Sequence, residues 1–438
     1  VFDPRVYLKS FFDNNNDSYT FLIDEAHNLV DRAREMFSAT ITKKSFLELK
    51  MEMKYLDIKV STALNKLNSY MLKIGKTVIN EDSMDYGNKK DSNIISQVDE
   101  PEKIYPLLRK LIEVTEQWLA KNKKSDIYEK LLELYFNCLS FIRISEFYDK
   151  RYVTYLEKTK GDIKIKLFCL DPSNLLREAQ KRGTATICFS ATLTPIVYFR
   201  DILGGGKEDY MLRLASPFDK TKMCLMLADN ISTKYKNRMA SLMKIVELIY
   251  SMVSQKKGNY LVFFPSYQYM NLVYEKFTQK YNDINTIVQS KEMSEDERDK
   301  YLQNFSPLSK EILVGFAVLG GIFSEGIDLT GERLSGAVIV GVGLPMICEE
   351  RDIIRSYFEE SLNCGYEYAY MYPGMSKVLQ SSGRVIRSET DIGAVLLIDE
   401  RFSQRNYQKL FPEEWFPYSK VNSPQKIESI LNDFWKMS

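Results

Sequence analysis

A chain of 438 residues can hold two or three domains, each burying its own core, which excludes a single small module. Its composition, 45% hydrophobic and 27% charged with a formal net charge of +1, is that of a soluble globular protein with no overall attraction for an anionic partner. Any nucleic-acid surface must therefore be a local channel. The six cysteines, Cys138, Cys169, Cys188, Cys224, Cys348 and Cys364, form no CxxC pair; they suggest neither a disulfide framework nor a metal cluster, and read as buried thiols in a reducing cytoplasm. No apolar run approaches the roughly 20 residues that span a bilayer, and no signal peptide opens the chain, so a cytoplasmic protein with no membrane partner is expected.

The chain begins "VFDPRVYLKSFF", without an initiator methionine, and reads as cut from something longer. Its first apolar run, "TFLI" (20–23), does not alternate, and neither do "ATICFS" (185–190), "YLVFF" (260–264), "EILVGFA" (311–317), "GAVIVGV" (336–342) and "GAVLLI" (393–398). Strands buried on both faces of a parallel sheet look like this. Between 33 and 150 the pattern turns helical: Leu56, Val60, Leu64, Leu67, Met71 and Ile74, then Ile127, Leu131, Leu134, Cys138, Phe141 and Ile142, recur at helical spacing. Inside this insertion, Gly75 reads as the C-cap of the preceding helix, and the polar, aperiodic stretch 80–103 reads as an exposed loop. Residues 151–168, with Gly161-Asp162 between β-leaning flanks, predict a hairpin leading back into the sheet. Farther on, amphipathic stretches at 237–253 and 267–280 alternate with the apolar runs, which is the βαβα rhythm of an α/β domain.

Chemistry enters with "TFLIDEAHNL" (20–29). A strand ending in two adjacent acids fits a Walker B site, with Asp24 holding the Mg²⁺ of a nucleotide and Glu25 orienting the attacking water. Solvated acids at a strand end, one of them capping a helix, fit the same letters. In "CFSATLTP" (188–195), Ser190 and Thr192 follow a buried run, and Pro195 suits the first turn of a helix; alone this is an ordinary strand-to-helix turn. In "VLGGIFSEGIDLTGERLSGAVIVGVGLP" (318–345), glycines around Ser324, Glu325 and Asp328 let backbone amides approach a phosphate chain, or simply make a glycine-rich turn. Finally, "QSSGRVIRSETDIGAVLLIDERF" (380–402) predicts Gln380, Arg384 and Arg387 on one helical face, because positions three and four apart are neighbours. Two guanidiniums beside a glycine suit the charge of a transferring phosphoryl group, solvated arginines being the plain alternative.

In order and content these segments resemble the motifs of superfamily 2 helicases, specifically the XPD/DinG branch of DNA helicases. "DEAH" (24–27) is similar to motif II, "SATLTP" (190–195) to motif III, "LVFFPSY" (261–267) to motif IV, "GGIFSEGIDLTG" (320–331) to motif V and "QSSGRVIR" (380–387) to motif VI. The resemblance extends from the first residues to about residue 402 and implies an α/β fold: two RecA-like motor domains clamping ATP, with a helical arch inserted in the first. The implied division is a motor-domain remnant at 1–32, an arch at 33–165, a return to the first motor domain at 166–215 and the second motor domain at 216–438. It also implies that Asp24 coordinates Mg²⁺ and Glu25 activates water, that His27, Ser190 and Thr192 couple ATP state to the inter-domain contact, and that Arg384 and Arg387 are arginine fingers. Gln380, Gly326 and Asp328 join the same network, while Ser266, Tyr267 and Ser324 are candidates for touching a DNA strand, or are structural. The implied activity is ATP-dependent unwinding by a monomeric motor moving 5′-to-3′ on single-stranded DNA, acting on forked or tailed duplexes in DNA repair or replication.

A superfamily 2 motor needs a phosphate-cradling GxxxxGK[ST] loop before motif II. "KIGKT" (73–77) has the closing GKT, but Tyr70 stands where the first glycine should be. The resemblance therefore implies that this loop, and the four cysteines of the family's 4Fe-4S cluster, lie upstream of Val1, so that the 438 residues alone hydrolyse little ATP. The rival reading is a helicase-like module that binds nucleic acid or protein without turnover. A nuclease is a third, against which stands the lack of clustered metal ligands in a chain whose only histidine is His27.

Overall fold

All six apolar runs form strands in the computed structural model, which describes residues 2–6, 19–82, 94–159, 161–307, 311–323 and 329–437. The chain divides into two units: Val1–Ser190 with Phe199–Asp209, and Ala191–Tyr198 with Tyr210–Ser438.

In the first unit, β1 (Thr20–Ile23) pairs in parallel with β6 (Ala185–Cys188), Ile23 lying opposite Cys188. Here burial on both faces fails. Leu22 is 67% and Ile187 52% exposed, so one face of this pair is an uncovered apolar surface. An apolar run specifies a strand; it does not specify that a helix covers both sides. The insertion holds the expected helices, Lys43–Met53, Ile58–Asp82, Tyr105–Lys121 and Tyr128–Ser145, and buries Val60, Leu64, Leu67 and Met71 of one stripe and Leu131, Leu134, Cys138 and Phe141 of the other. It also carries strands that the helical periodicity concealed. β2 (Ala39–Thr42), β3 (Ile94–Val98), β4 (Tyr152–Lys158) and β5 (Ile163–Cys169) form an antiparallel sheet in the order β2-β5-β4-β3. The predicted hairpin is β4–β5, and it belongs to this sheet rather than to the parallel one.

Two local expectations are corrected. The stretch 80–103 is not all loop, since Ile94–Val98 pairs with β4. Gly75 caps nothing: its helix continues to Asp82. A Cβ at Gly75 would stand 2.5 Å from Ile163 Cδ1, so the glycine serves the close approach of helix and sheet.

The second unit is built on a seven-stranded sheet in the order β13-β7-β12-β11-β8-β10-β9, with every pairing parallel. Its strands are β7 (Met223–Ala228), β8 (Gly258–Phe264), β9 (Asn285–Val288), β10 (Ile312–Val318), β11 (Gly336–Val340), β12 (Gly393–Ile398) and β13 (Ser419–Lys420). Successive β8 residues enter opposite cores: Tyr260, Val262 and Phe264 one, Leu261 and Phe263 the other. The first is closed by helices Arg238–Val253, Tyr267–Lys280 and Pro424–Met437, and the second by Glu295–Gln303 and Tyr372–Ser382. Two covered faces are what the non-alternating runs encode, and burying each large side chain there stabilises the fold by about 1.5–3 kcal/mol.

The parallel order also gathers chain exits. Phe264 lies level with Val318, and Ile398 with both Val340 and Ala228, so the loops leaving β7, β8, β10, β11 and β12 emerge along one edge. At that edge Gly343, with φ +66°, packs on Gly374 so tightly that a Cβ on Gly374 would lie 2.7 Å from the Val342 carbonyl oxygen. Backbone cannot yield as a flexible side chain does. Gly374→Ala is expected to cost about 1–3 kcal/mol, read as a lower urea midpoint at an unchanged slope; an unchanged midpoint would refute this close-packing account.

Candidate functional site

The acids of "DEAH" follow β1 directly. Asp24 and Glu25 are both exposed, and Asp24 Oδ1 accepts the Glu25 amide at 2.7 Å. Glu25 adopts a left-handed backbone, φ 48° and ψ 43°, which costs a residue with a Cβ about 1 kcal/mol or more. Such strain persists only where the surroundings impose it. Here the next amide, that of Ala26, donates to Phe189 O just beyond β6, and Ala26 is fully buried.

The sharp turn aims Glu25 at the exit of the neighbouring strand. Ser190 Oγ donates to Glu25 Oε2 at 3.0 Å, and His27 Nδ1 lies 2.8 Å from Ser190 Oγ and 3.4 Å from Glu25 Oε2. With its proton committed to the carboxylate, the serine accepts from His27 Nδ1–H. The serine stands between the histidine and the acid, whereas a nucleophilic triad needs the histidine in the middle. This arrangement orients a carboxylate and does not activate Ser190. Asp24, Glu25, His27 and Ser190 are thus together in the first unit, while Thr192, buried, falls in the second. Pro195 immediately precedes the helix Ile196–Ile202.

In the second unit, Ser266 Oγ accepts from the Tyr269 amide at 3.3 Å, so this serine caps the helix Tyr267–Lys280. The Tyr267 phenol oxygen accepts from Gln289 Nε2 at 2.9 Å, and Gln289 Oε1 accepts the Val318 amide at 2.9 Å. Gln289, only 3% exposed, therefore ties the exit of β8 to that of β10. Sequence reasoning missed it, because a glutamine after a short strand carries no signal of its own. Its donated N–H leaves the phenol proton of half-buried Tyr267 directed elsewhere. Ser324, Gly326 and Asp328 lie outside the described residues.

Gln380 lies in the helix Tyr372–Ser382, but Arg384 and Arg387 do not continue its face. The helix ends at Gly383, and both arginines follow in a turn and loop. A buried carboxylate organises this loop. Asp391 Oδ2 accepts the amides of Arg387 at 2.7 Å and Ser388 at 2.8 Å, and Oδ1 accepts Ser388 Oγ at 2.7 Å and the Gly331 amide at 2.9 Å. Burial pushes the Asp391 carboxyl upward, but the bonds from Ser388, Arg387 and Gly331 outweigh it and hold the group below its ordinary value. Asp391 is the second residue that the sequence reading missed; only its position, just before an apolar run, hinted at it.

Among the described residues no cluster of three or more His, Cys, Asp or Glu side chains is placed to hold a metal ion, and no helix is long and apolar enough to cross a membrane. The six cysteines are free thiols; burial pushes Cys138 and Cys169 up to about 12, and the other four are half-buried.

The chain is similar to known proteins over most of its length. Residues 249–418 match the helicase C-terminal domain. The chain is similar to the ATP-dependent DNA helicase CHL1 of Debaryomyces hansenii, 24% identical with 91% of this chain and 54% of that protein covered. It is also similar to the ATP-dependent DNA helicase DinG of Photobacterium profundum, 28% identical over 55% of this chain and 35% of that protein. The chain thus spans about half the length of the CHL1 proteins it matches. In fold it resembles the solved Xpd4 of S. tokodaii, with a TM-score of 0.59 at 17% identity, covering 92% of this chain and 76% of that one.

Two outcomes are expected. Gln289→Leu strands the buried Val318 amide and should cost about 1–3 kcal/mol in urea unfolding; an unchanged midpoint would show that Gln289 does not latch the two exits. Asp391, with its folded-state pKa below the unfolded value, adds stability that is fully present above the unfolded value, near about 3.9. That contribution is lost as pH falls through the folded value. The stability gap between wild type and Asp391→Asn should accordingly narrow from pH 7 to pH 3, and a constant gap would rule the linkage out.

Proposed function

We infer, the chain being a member of the XPD/DinG-like branch of superfamily 2 helicases, that the intact protein couples ATP hydrolysis to movement along single-stranded DNA and to duplex unwinding. The observation that carries this reading is the strained turn at Glu25, whose carboxylate is aimed and held by Ser190 with His27 behind it. A carboxylate fixed beside a second acid at a strand end suits the orientation of an attacking water. Asp24 offers exposed, hard oxygen donors, which fit Mg²⁺, an ion that takes one or two carboxylates and completes its shell with water and phosphate oxygens. When bound, that ion neutralises charge developing on the phosphoryl oxygens.

The chain's own groups do the rest. Glu25 accepts the proton of the attacking water or orients it, and Ser190 and His27 pass the state of Glu25 to the exit of β6. Thr192 is proposed to take part in that relay. Arg384 and Arg387 stabilise the transferring phosphoryl group, with Gln380, Gly326 and Asp328 in the same network. The strand-contacting surface is proposed on the edge where the exits of the seven-stranded sheet gather. There Tyr235 is 77% exposed between Lys234 and Lys236, and the Arg238 guanidinium lies 5.4 Å from its ring centre. Cations with aromatic faces are what a single strand's phosphates and bases require. Ser266, Tyr267 and Ser324 are the proposed polar contacts, 5′-to-3′ the proposed direction, and DNA repair or replication the proposed setting.

In the intact protein, Glu25→Gln should cut ATP turnover by about 10²-fold or more while nucleotide still binds, since only a transition-state role is removed. Phosphate release and nucleotide binding measured side by side decide this, and wild-type unwinding by the variant would end the reading. The 438 residues alone, which contain no GxxxxGK[ST] sequence, are expected to show little hydrolysis.

A further inference from the structure

We propose that Asp391 is the positioning residue of Arg387: it fixes the backbone from which that guanidinium projects and locks it to the end of the β10–β11 connection. This deepens, and rests on, the reading of Arg387 as the group that stabilises the transferring phosphoryl.

The argument starts from what the helix does not do. It ends at Gly383, so its rigidity cannot set the direction of a side chain four residues later. Between that end and Gly393 the chain runs in turns, so no regular element sets the backbone from which Arg387 projects. Asp391 sets it instead. It lies two residues before β12, a strand buried at every position between β7 and β11, so its own backbone is anchored in the sheet. From there one carboxylate receives the Arg387 amide, the Ser388 amide and hydroxyl, and the Gly331 amide. Two oxygens with two donors each leave the group saturated and, at 3% exposure, shielded from competing water. Gly331, at φ +67°, closes the β10–β11 connection, so Gly331 and Arg387 share one anchor. The Glu389 carbonyl accepts from Lys222 Nζ just before β7, which ties down the far side of the same turn.

Asparagine in this place keeps the volume and loses the function of one oxygen. Placed at Oδ2, its NH₂ group faces the Arg387 and Ser388 amides; placed at Oδ1, it can donate to the Ser388 hydroxyl but faces the Gly331 amide, so at least one anchoring bond fails either way. The test uses the intact protein and DNA-stimulated ATP hydrolysis. Asp391→Asn is expected to lower kcat about tenfold to a hundredfold with KM for ATP changed by less than about threefold, because a misplaced charge-stabilising group is missed mainly in the transition state. Combined with Arg387→Ala it should add little further loss, since both changes remove the same contribution. If Arg387→Ala leaves kcat unchanged, the reading of Arg387 fails. If Arg387→Ala abolishes turnover while folded Asp391→Asn retains wild-type kcat, or if the two losses multiply, that reading stands and the positioning role of Asp391 is overturned. Should Asp391→Asn not fold, Ser388→Ala carries the test. It removes the hydroxyl bonds to Asp391 Oδ1 and Thr390 Oγ1 while leaving the three amides in place, and it should lower kcat severalfold at constant KM; an unchanged kcat would overturn the proposal.

Discussion

Parallel pairing is the constraint on which the rest of this structure depends. A parallel strand cannot turn back directly into its neighbour, so each connection leaves the sheet, crosses a face and returns. The backbone groups at every exit and entry are thereby cut off from the ladder and must find partners elsewhere. In this chain buried partners include the Ala26 amide for the Phe189 carbonyl beyond β6, Gln289 for the Val318 amide at the end of β10, and Asp391 for three amides before β12. Glu25 is held by Ser190, Tyr267 by Gln289 and the Arg387 backbone by Asp391, and Glu25 and Arg387 lie beyond the ends of the strand and helix that precede them.

That division explains what was legible in the sequence. The apolar runs of the second unit announce strands because a strand covered on both faces has no polar alternation, and the β8, β11 and β12 segments are buried throughout; β1 and β6 read the same way with one face uncovered. The rhythm of runs and amphipathic stretches was enough for an α/β architecture. Elements without a periodic signature stayed hidden. β9 has four residues and β13 two, and β3 follows a polar stretch. Gly75 misled for a related reason: a glycine near the end of a periodic stripe resembles a cap, whereas here it admits Ile163 against a continuing helix.

The candidate site was legible by letters and opaque by geometry. "DEAH" located Asp24, Glu25 and His27, yet nothing in those four letters foretells a left-handed Glu25 or Ser190 at 3.0 Å, because the serine arrives from 165 positions away. The spacing of Gln380, Arg384 and Arg387 suggested one helical face, and that inference assumed the helix went on. Gly383 ends it, and a carboxylate eight residues farther along, itself uncharacteristic in sequence, determines where Arg387 begins. Spacing rules hold only inside an element, so they fail at the boundaries where functional groups concentrate.

The two ends of β12 show how differently one buried strand can be bracketed. At its exit Asp399, fully buried, accepts from the Arg401 guanidinium at 2.7 Å and from the Thr233 hydroxyl and amide, a charge countered by a charge. At its entry Asp391 is held by three amides and a hydroxyl, so its charge is spread over oriented N–H dipoles. The ion pair ties Asp399 to a partner two residues away, and the Thr233 bonds tie it to the loop after β7. At Asp391 the donors come from Gly331 as well as from Arg387, sixty and four positions distant in the chain. The entry carboxylate therefore joins two connections that the sheet itself leaves separate, which is why Gly331, at the start of a short 3₁₀ turn, and the loop bearing Arg387 have a common reference point.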